Sequence, residues 1–206
     1  MLRSRAVPVA AAFFSSIILI PSNMKKLLFI AAILVAAANI SFAQIKSAQL
    51  TASGLTCSMC SKSILKALEK VDFVQAVQAD IATSSYTITF RNGTAINPDA
   101  LKTAVERAGF SVASLKVTAT VPAITVSNDA HLALGGLNLH FLNVPEKSIS
   151  GEQTFTLLDK GFLPAKDYKR NGSFTKMPCY HTGMMAPCCA KAAGLPAGRI
   201  YHVTLS

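Results

Sequence analysis

The feature that most constrains this chain is the succession of apolar periodicities between residues 45 and 121, which runs in the order βαββαβ. Residues 45–53 set Lys46, Ala48, Leu50 and Ala52 against their neighbours in alternation, as in a half-buried strand. Residues 61–70 place Ile64, Leu65 and Leu68 on one helical face and Lys62, Lys66, Glu69 and Lys70 outside it. Residues 74–81 and 85–91 alternate again, the second with Tyr86, Ile88 and Phe90 against Thr87 and Thr89, so a hairpin is predicted. Asn97 offers an N-cap and Pro98 stands where a first helical residue can lack its N–H. Leu101, Ala104, Val105 and Ala108 mark an apolar helical face, and Gly109 a stop. Residues 110–121 return to extended character. The order predicts an α+β, ferredoxin-like βαββαβ domain over residues 44–121, with two helices on one face of a four-stranded antiparallel sheet. Its expected core is Leu50, Ile64, Leu68, Val77, Ile88, Leu101, Val105 and Val112.

Past Val121 the helical periodicity nearly vanishes. Residues 131–134 and 137–144 flank Gly135-Gly136 as a hairpin, with Leu137, Leu139 and Phe141 on one side. Residues 154–158 and 200–205 read as further strands, residues 164–170 as one or two helical turns, and residues 177–198 as a long irregular stretch. These elements predict a smaller, mainly-β domain over residues 122–206, with a small barrel as one form it could take.

Residues 1–43 read as an export region. Met24, Lys25 and Lys26 make a charged start, residues 27–38 an apolar core, and Ser41, Phe42 and Ala43 present small residues before a cut. Cleavage is expected after Ala43, and Met24 is the expected translation start, with residues 1–23 an upstream extension of the gene. The competing reading makes residues 7–20 a membrane anchor, but that stretch is shorter than the about 20 residues that span a bilayer. The mature chain is expected to have no stable membrane span and to be periplasmic or secreted.

Removing residues 1–43 takes away Arg3, Arg5, Lys25 and Lys26 and no acids, so the formal charge falls from +10 to +6. Lys166, Lys169 and Arg170 form the one notable basic cluster, without the interleaved aromatics that stacking on nucleic acid requires, so a solvated face is expected and no nucleic-acid partner. All five cysteines lie beyond residue 43, and an odd number leaves at least one thiol unbridged within a monomer.

Two of these cysteines occur in the run Gly54-Leu55-Thr56-Cys57-Ser58-Met59-Cys60. Two thiolates three positions apart at a strand-to-helix turn can face one centre, and the helix N-terminus favours their negative charge. Soft thiolates select Cu(I), and also suit Zn(II) or Hg(II). A structural zinc wants four ligands, so a bare pair favours a transferable Cu(I) ion. Three other readings compete. A thioredoxin-like redox pair would have an aromatic before the first cysteine, a haem site would have histidine where Ser61 stands, and a disulfide this short closes too small a loop to stabilise much.

The loop and the βαββαβ order resemble the heavy-metal-associated domain, shared by small copper chaperones, periplasmic mercury carriers and N-terminal modules of metal-pumping ATPases. The resemblance covers roughly residues 45–120, under half of the chain. It implies Cys57 and Cys60 as metal ligands, with Leu55 in the place of a usual methionine that packs beneath the loop. Gly109-Phe110 resembles the family's glycine and aromatic ahead of the last strand, which implies that Phe110 is an apolar lid near the loop and not a ligand.

A second cluster falls between Met177 and Cys189. Cys179, His181, Met184, Met185, Cys188 and Cys189 are a candidate second soft-metal site, since thiolate, imidazole and thioether all hold Cu(I). His131, His140 and His202 lie elsewhere in the chain and could approach it. The competing reading is a disulfide staple of Cys179 with Cys188 or Cys189, the methionines filling the core.

No nucleophile motif, phosphate-cradling glycine loop or metal-hydrolase spacing occurs, so no enzyme is expected. The combined reading is an exported protein that captures Cu(I), or Zn(II) or Hg(II), on Cys57 and Cys60 and exchanges it with a metal-donor or metal-acceptor protein. The alternative is an exported thiol-disulfide redox protein using the same pair.

Overall fold

A computed structural model of the chain describes residues 44–55, 58–187, 189 and 198–206. The expected export region, Cys57 and Cys188 lie outside the described residues. The order βαββαβ is present as β1 (Gln44–Ser53), α1 (Ser58–Glu69), β2 (Val74–Asp80), β3 (Ser85–Phe90), α2 (Pro98–Arg107) and β4 (Ser111–Val126). There follow β5 (His131–Leu134), β6 (Leu137–Phe141), β7 (Lys147–Leu157), α3 (Ala165–Asn171), a 3-10 turn at Gly172–Phe174, the single-turn α4 (Cys179–Thr182) and β8 (Ile200–Leu205).

Local chemistry accounts for the helices. α1 buries Ser61, Ile64 and Leu68, which its turn of 3.6 residues brings to one face. α2 starts where Asn97 accepts the Asp99 N–H at 3.0 Å, with Pro98 in the first turn, and it buries Pro98, Leu101 and Val105. Every residue of the expected core is buried except Val77, which packs half-buried at its edge.

The C-terminal strands do not form the separate domain or barrel that was expected. The eight strands among the described residues make one open sheet in the order β2-β3-β1-β4-β7-β8-β6-β5. The joint is β4, a strand of 16 residues paired with β1 on one side and β7 on the other. Its continuation past Val121 is hidden in the sequence by Pro122, which cannot donate to a ladder. The strand passes it by a register shift between Val121 and Ile124. β7 likewise begins earlier than expected because its polar first half needs only β4 as a neighbour.

One face of this sheet carries a continuous apolar core. Ile64 and Leu68 from α1, Leu101 and Val105 from α2, Leu115 and Val117 from β4, and Phe141, Phe155 and Val203 from the C-terminal strands belong to it. On the other face Gln49, Thr87 and Thr89 are exposed along β1 and β3. Along β6 and β8 that same face is covered, by the segment that holds Leu158, Tyr180, Cys179 and Cys189. Ile200, Tyr201, His202 and Val203 are therefore all buried, two on each side. The basic cluster Lys166, Lys169 and Arg170 is solvent-exposed.

Candidate metal centres

The first centre lies where β1 meets α1. Gly54 turns the chain out of β1 at a φ of +87°, a conformation that favours glycine. α1 begins at Ser58, so Cys60 stands in its first turn, half-buried, beside the positive end of the helix. Leu55 packs against the core, and the Phe110 ring edge lies 3.9 Å from where a Gly54 side chain would begin. An apolar floor and an apolar flank thus border the loop. Ser61, one residue on, is buried, and its carbonyl accepts the Tyr86 hydroxyl at 3.3 Å.

The second centre is built by register. The Gly135-Gly136 turn, both residues at positive φ, pairs His131 with His140 across β5 and β6. The parallel pairing of β6 with β8 then sets His140 beside His202. Three imidazoles form a row across adjacent strands, stacked at 4.4 Å between His131 and His140 and edge-on at 5.0 Å between His140 and His202. α4 brings Cys179 over them. Its sulfur stands 3.6 Å from His140 Nδ1 and 3.5 Å from His202 Nε2. His140, Cys179 and His202 are fully buried.

Each of these two histidines is held from behind by a carboxylate. Asp129 Oδ1 lies 3.0 Å from His140 Nε2, and Asp159 Oδ1 lies 3.0 Å from His202 Nδ1. Asp159 also accepts the His202 backbone N–H at 2.7 Å and Arg199 Nη1 at 3.2 Å. Arg199 continues to Asp99 in α2, at 2.8 Å from Nε to Oδ2. Burial, with the neighbouring His202 and His131, pushes His140 down to about 4, and burial lowers His131 too. Neutral imidazoles with one lone pair each are what metal ligation needs.

Of the residues expected at the second site, the structure brings Cys179, Met185 and Cys189 into one buried cluster that also holds Met177 and Ile200. Cys189 Sγ lies 4.0 Å from Met177 Sδ. His181 and Met184 are exposed and take no part. The histidines at the cluster are instead His140 and His202, and the sequence offered no spacing signal for them, since they stand 39 and 23 residues from Cys179. Asp129 and Asp159 carry no local sequence signal either. Cys179, His202 and Asp159 also follow the nucleophile–base–acid order of thiol acyl-transfer enzymes. A sulfur with no exposed surface and a second imidazole against it does not suit attack on a substrate.

The N-terminal part of the sheet, with its two helices and its cysteine-bearing loop, is a ferredoxin-like βαββαβ unit. Residues 49–111 match the model of the heavy-metal-associated domain, and this segment is a domain of that family. The C-terminal part has no family assigned to it. Solved structures similar to the chain include the N-terminal domain of PacS from Synechocystis PCC6803, 31% identical over 32% of this chain and 92% of that one, TM-score 0.29. Oxidized MerP from Ralstonia metallidurans CH34 is 30% identical over 33% of this chain and 96% of that one, TM-score 0.30. The CopZ metallochaperone is 20% identical over 32% and 97%, TM-score 0.30. No curated protein matches the chain.

Proposed function

We propose that this protein is exported and that it captures a soft metal ion, Cu(I) ahead of Zn(II) or Hg(II), on Cys57 and Cys60 for exchange with a partner protein. The observation that carries this reading is the heavy-metal-associated domain at residues 49–111, whose match spans the whole Gly54–Cys60 run. The position of Cys60 in the first turn of α1 supports it, because the helix N-terminus stabilises a thiolate. The apolar border of Leu55 and Phe110 supports it too, by keeping hard, hydrated cations at a disadvantage. Two ligands leave the ion accessible to an incoming thiolate, so transfer proceeds by ligand exchange without release of the bare ion. Export follows from the charged start, apolar core and small residues before Gln44. Among the described residues no helix is long and apolar enough to cross a membrane.

Anaerobic Cu(I) titration of the reduced chain against a competing chelator tests the reading. The Cys57→Ser/Cys60→Ser variant should lose one tight equivalent while its circular dichroism stays unchanged; unaltered affinity and stoichiometry would sink the proposal. The mass of the chain recovered from the periplasm or medium tests export, with Gln44 expected at its start.

A further inference from the structure

His140, Cys179 and His202 bring three potential donor atoms to one buried place. A carboxylate only accepts hydrogen bonds, so the imidazole atom facing each aspartate carries the proton: Nε2 in His140 and Nδ1 in His202. The opposite nitrogens, His140 Nδ1 and His202 Nε2, face Cys179 Sγ from 3.6 and 3.5 Å, and in neutral imidazoles they direct lone pairs at it. Three electron-pair donors thus converge, fully buried, on one point, and their ligand atoms all lie within 4.8 Å of one another. A cation at that point satisfies all three.

The two sulfur–nitrogen distances fit such a cation. With a metal–sulfur bond of about 2.3 Å and metal–nitrogen bonds of about 2.0 to 2.1 Å, a tetrahedral ion holds its sulfur and nitrogen donors about 3.6 Å apart. The two observed separations are 3.5 and 3.6 Å. The carboxylates behind both histidines are the usual outer partners of metal-bound imidazole, which fix its tautomer and raise its basicity. Asp159 is itself buried and held by Arg199, so the support is rigid.

We propose that His140, Cys179 and His202 form a second metal site, internal and distinct from the Cys57/Cys60 loop, that takes a borderline divalent ion, with Zn(II) as its probe. The donors are two neutral imidazoles and one thiolate, so binding releases the Cys179 proton to solvent and leaves the ion with one net positive charge. Full burial makes this a retained ion. It would tie β6, β8 and α4 together.

The test uses the full chain carrying Cys57→Ser/Cys60→Ser, so that failure of the loop proposal does not affect it. Co(II), a spectroscopic stand-in for Zn(II), should bind with a one-to-one endpoint, show thiolate-to-metal charge transfer and the intense visible bands of a tetrahedral site, and be displaced by Zn(II). Adding Cys179→Ser should abolish the charge transfer. Because that sulfur is in the core, Asp129→Asn is the second variant: its carboxylate is partly exposed, all three donors remain, and Zn(II) affinity should fall at least about tenfold. Three outcomes overturn the proposal. They are no Co(II) charge transfer in the parent, charge transfer that persists without Cys179, or a disulfide from Cys179 to Cys188 or Cys189 in the mass map of the chain as isolated, without added reductant.

Discussion

The two ends of the sheet use the same kind of donor in opposite settings. At the heavy-metal-associated end Cys60 sits at a loop, in a first helical turn, with the back of the sheet open to solvent. At the C-terminal end Cys179 sits fully buried between two strand histidines, because a segment of coil and short helices covers the face left bare elsewhere. Burial decides what thiolate chemistry can do. A sulfur that an incoming ligand can reach supports exchange, whereas one behind packed side chains gives up its ion only when the cover opens.

The largest effect expected from this difference is kinetic. Metal on the Cys57/Cys60 loop should pass to a thiol chelator at least about a hundredfold faster than metal on His140, Cys179 and His202, since the buried site must first open locally. Stopped-flow transfer from the two single-site variants measures this. Equal rates would erase the distinction between exchange and retention.

Next comes the shared core. Phe155 in β7 is buried against Phe141 at 5.8 Å, in the same cluster as Ile64 and Leu68. Phe155→Ala should cost about 3 to 5 kcal/mol, and denaturant unfolding should remain a single transition. Two separate transitions would mean that the halves fold independently despite β4.

Arg199 links the ends more locally, by bonding Asp99 of α2 and the buried Asp159. Arg199→Ala should cost about 3 kcal/mol, because it strands a buried carboxylate. Burial alone would raise the Asp99 carboxyl, but the hydrogen bonds and charge of Arg199 outweigh it and hold it below its ordinary value. Stability from this pair is therefore complete above the unfolded value of 3.8 and is lost as pH falls through the lower folded one. Melting between pH 5 and pH 2 should show this acid limb in the parent, and a flatter one in Arg199→Ala.

The smallest effect belongs to a cap. Asn97→Ala removes the acceptor for the Asp99 N–H and should cost about 1 kcal/mol by chemical denaturation, without touching either metal site. A larger loss would point to the Tyr201 hydroxyl, which also reaches Asn97 at 3.2 Å, as a second link between the ends.

Local pattern made the N-terminal half legible. The periods of 2 and 3.6, Asn97-Pro98 and Gly109 gave six elements in order, and the loop that carries Cys57 and Cys60 stood out because its ligands are neighbours in the chain. The C-terminal strands were found too, but their place was not. Pro122 concealed the length of β4, and nothing local says that β7 pairs with β4 and β8 with β6.

What the sequence determined by itself was therefore whatever rests on near neighbours: the βαββαβ frame, its core and the paired cysteines. Only the tertiary structure decided that one sheet joins both halves, that His181 and Met184 stay outside, and that His140 and His202 meet at Cys179. The reason is physical. An alternating strand shows which residues share a face, but whether that face meets water or another segment depends on strand pairing and on cover from distant parts of the chain.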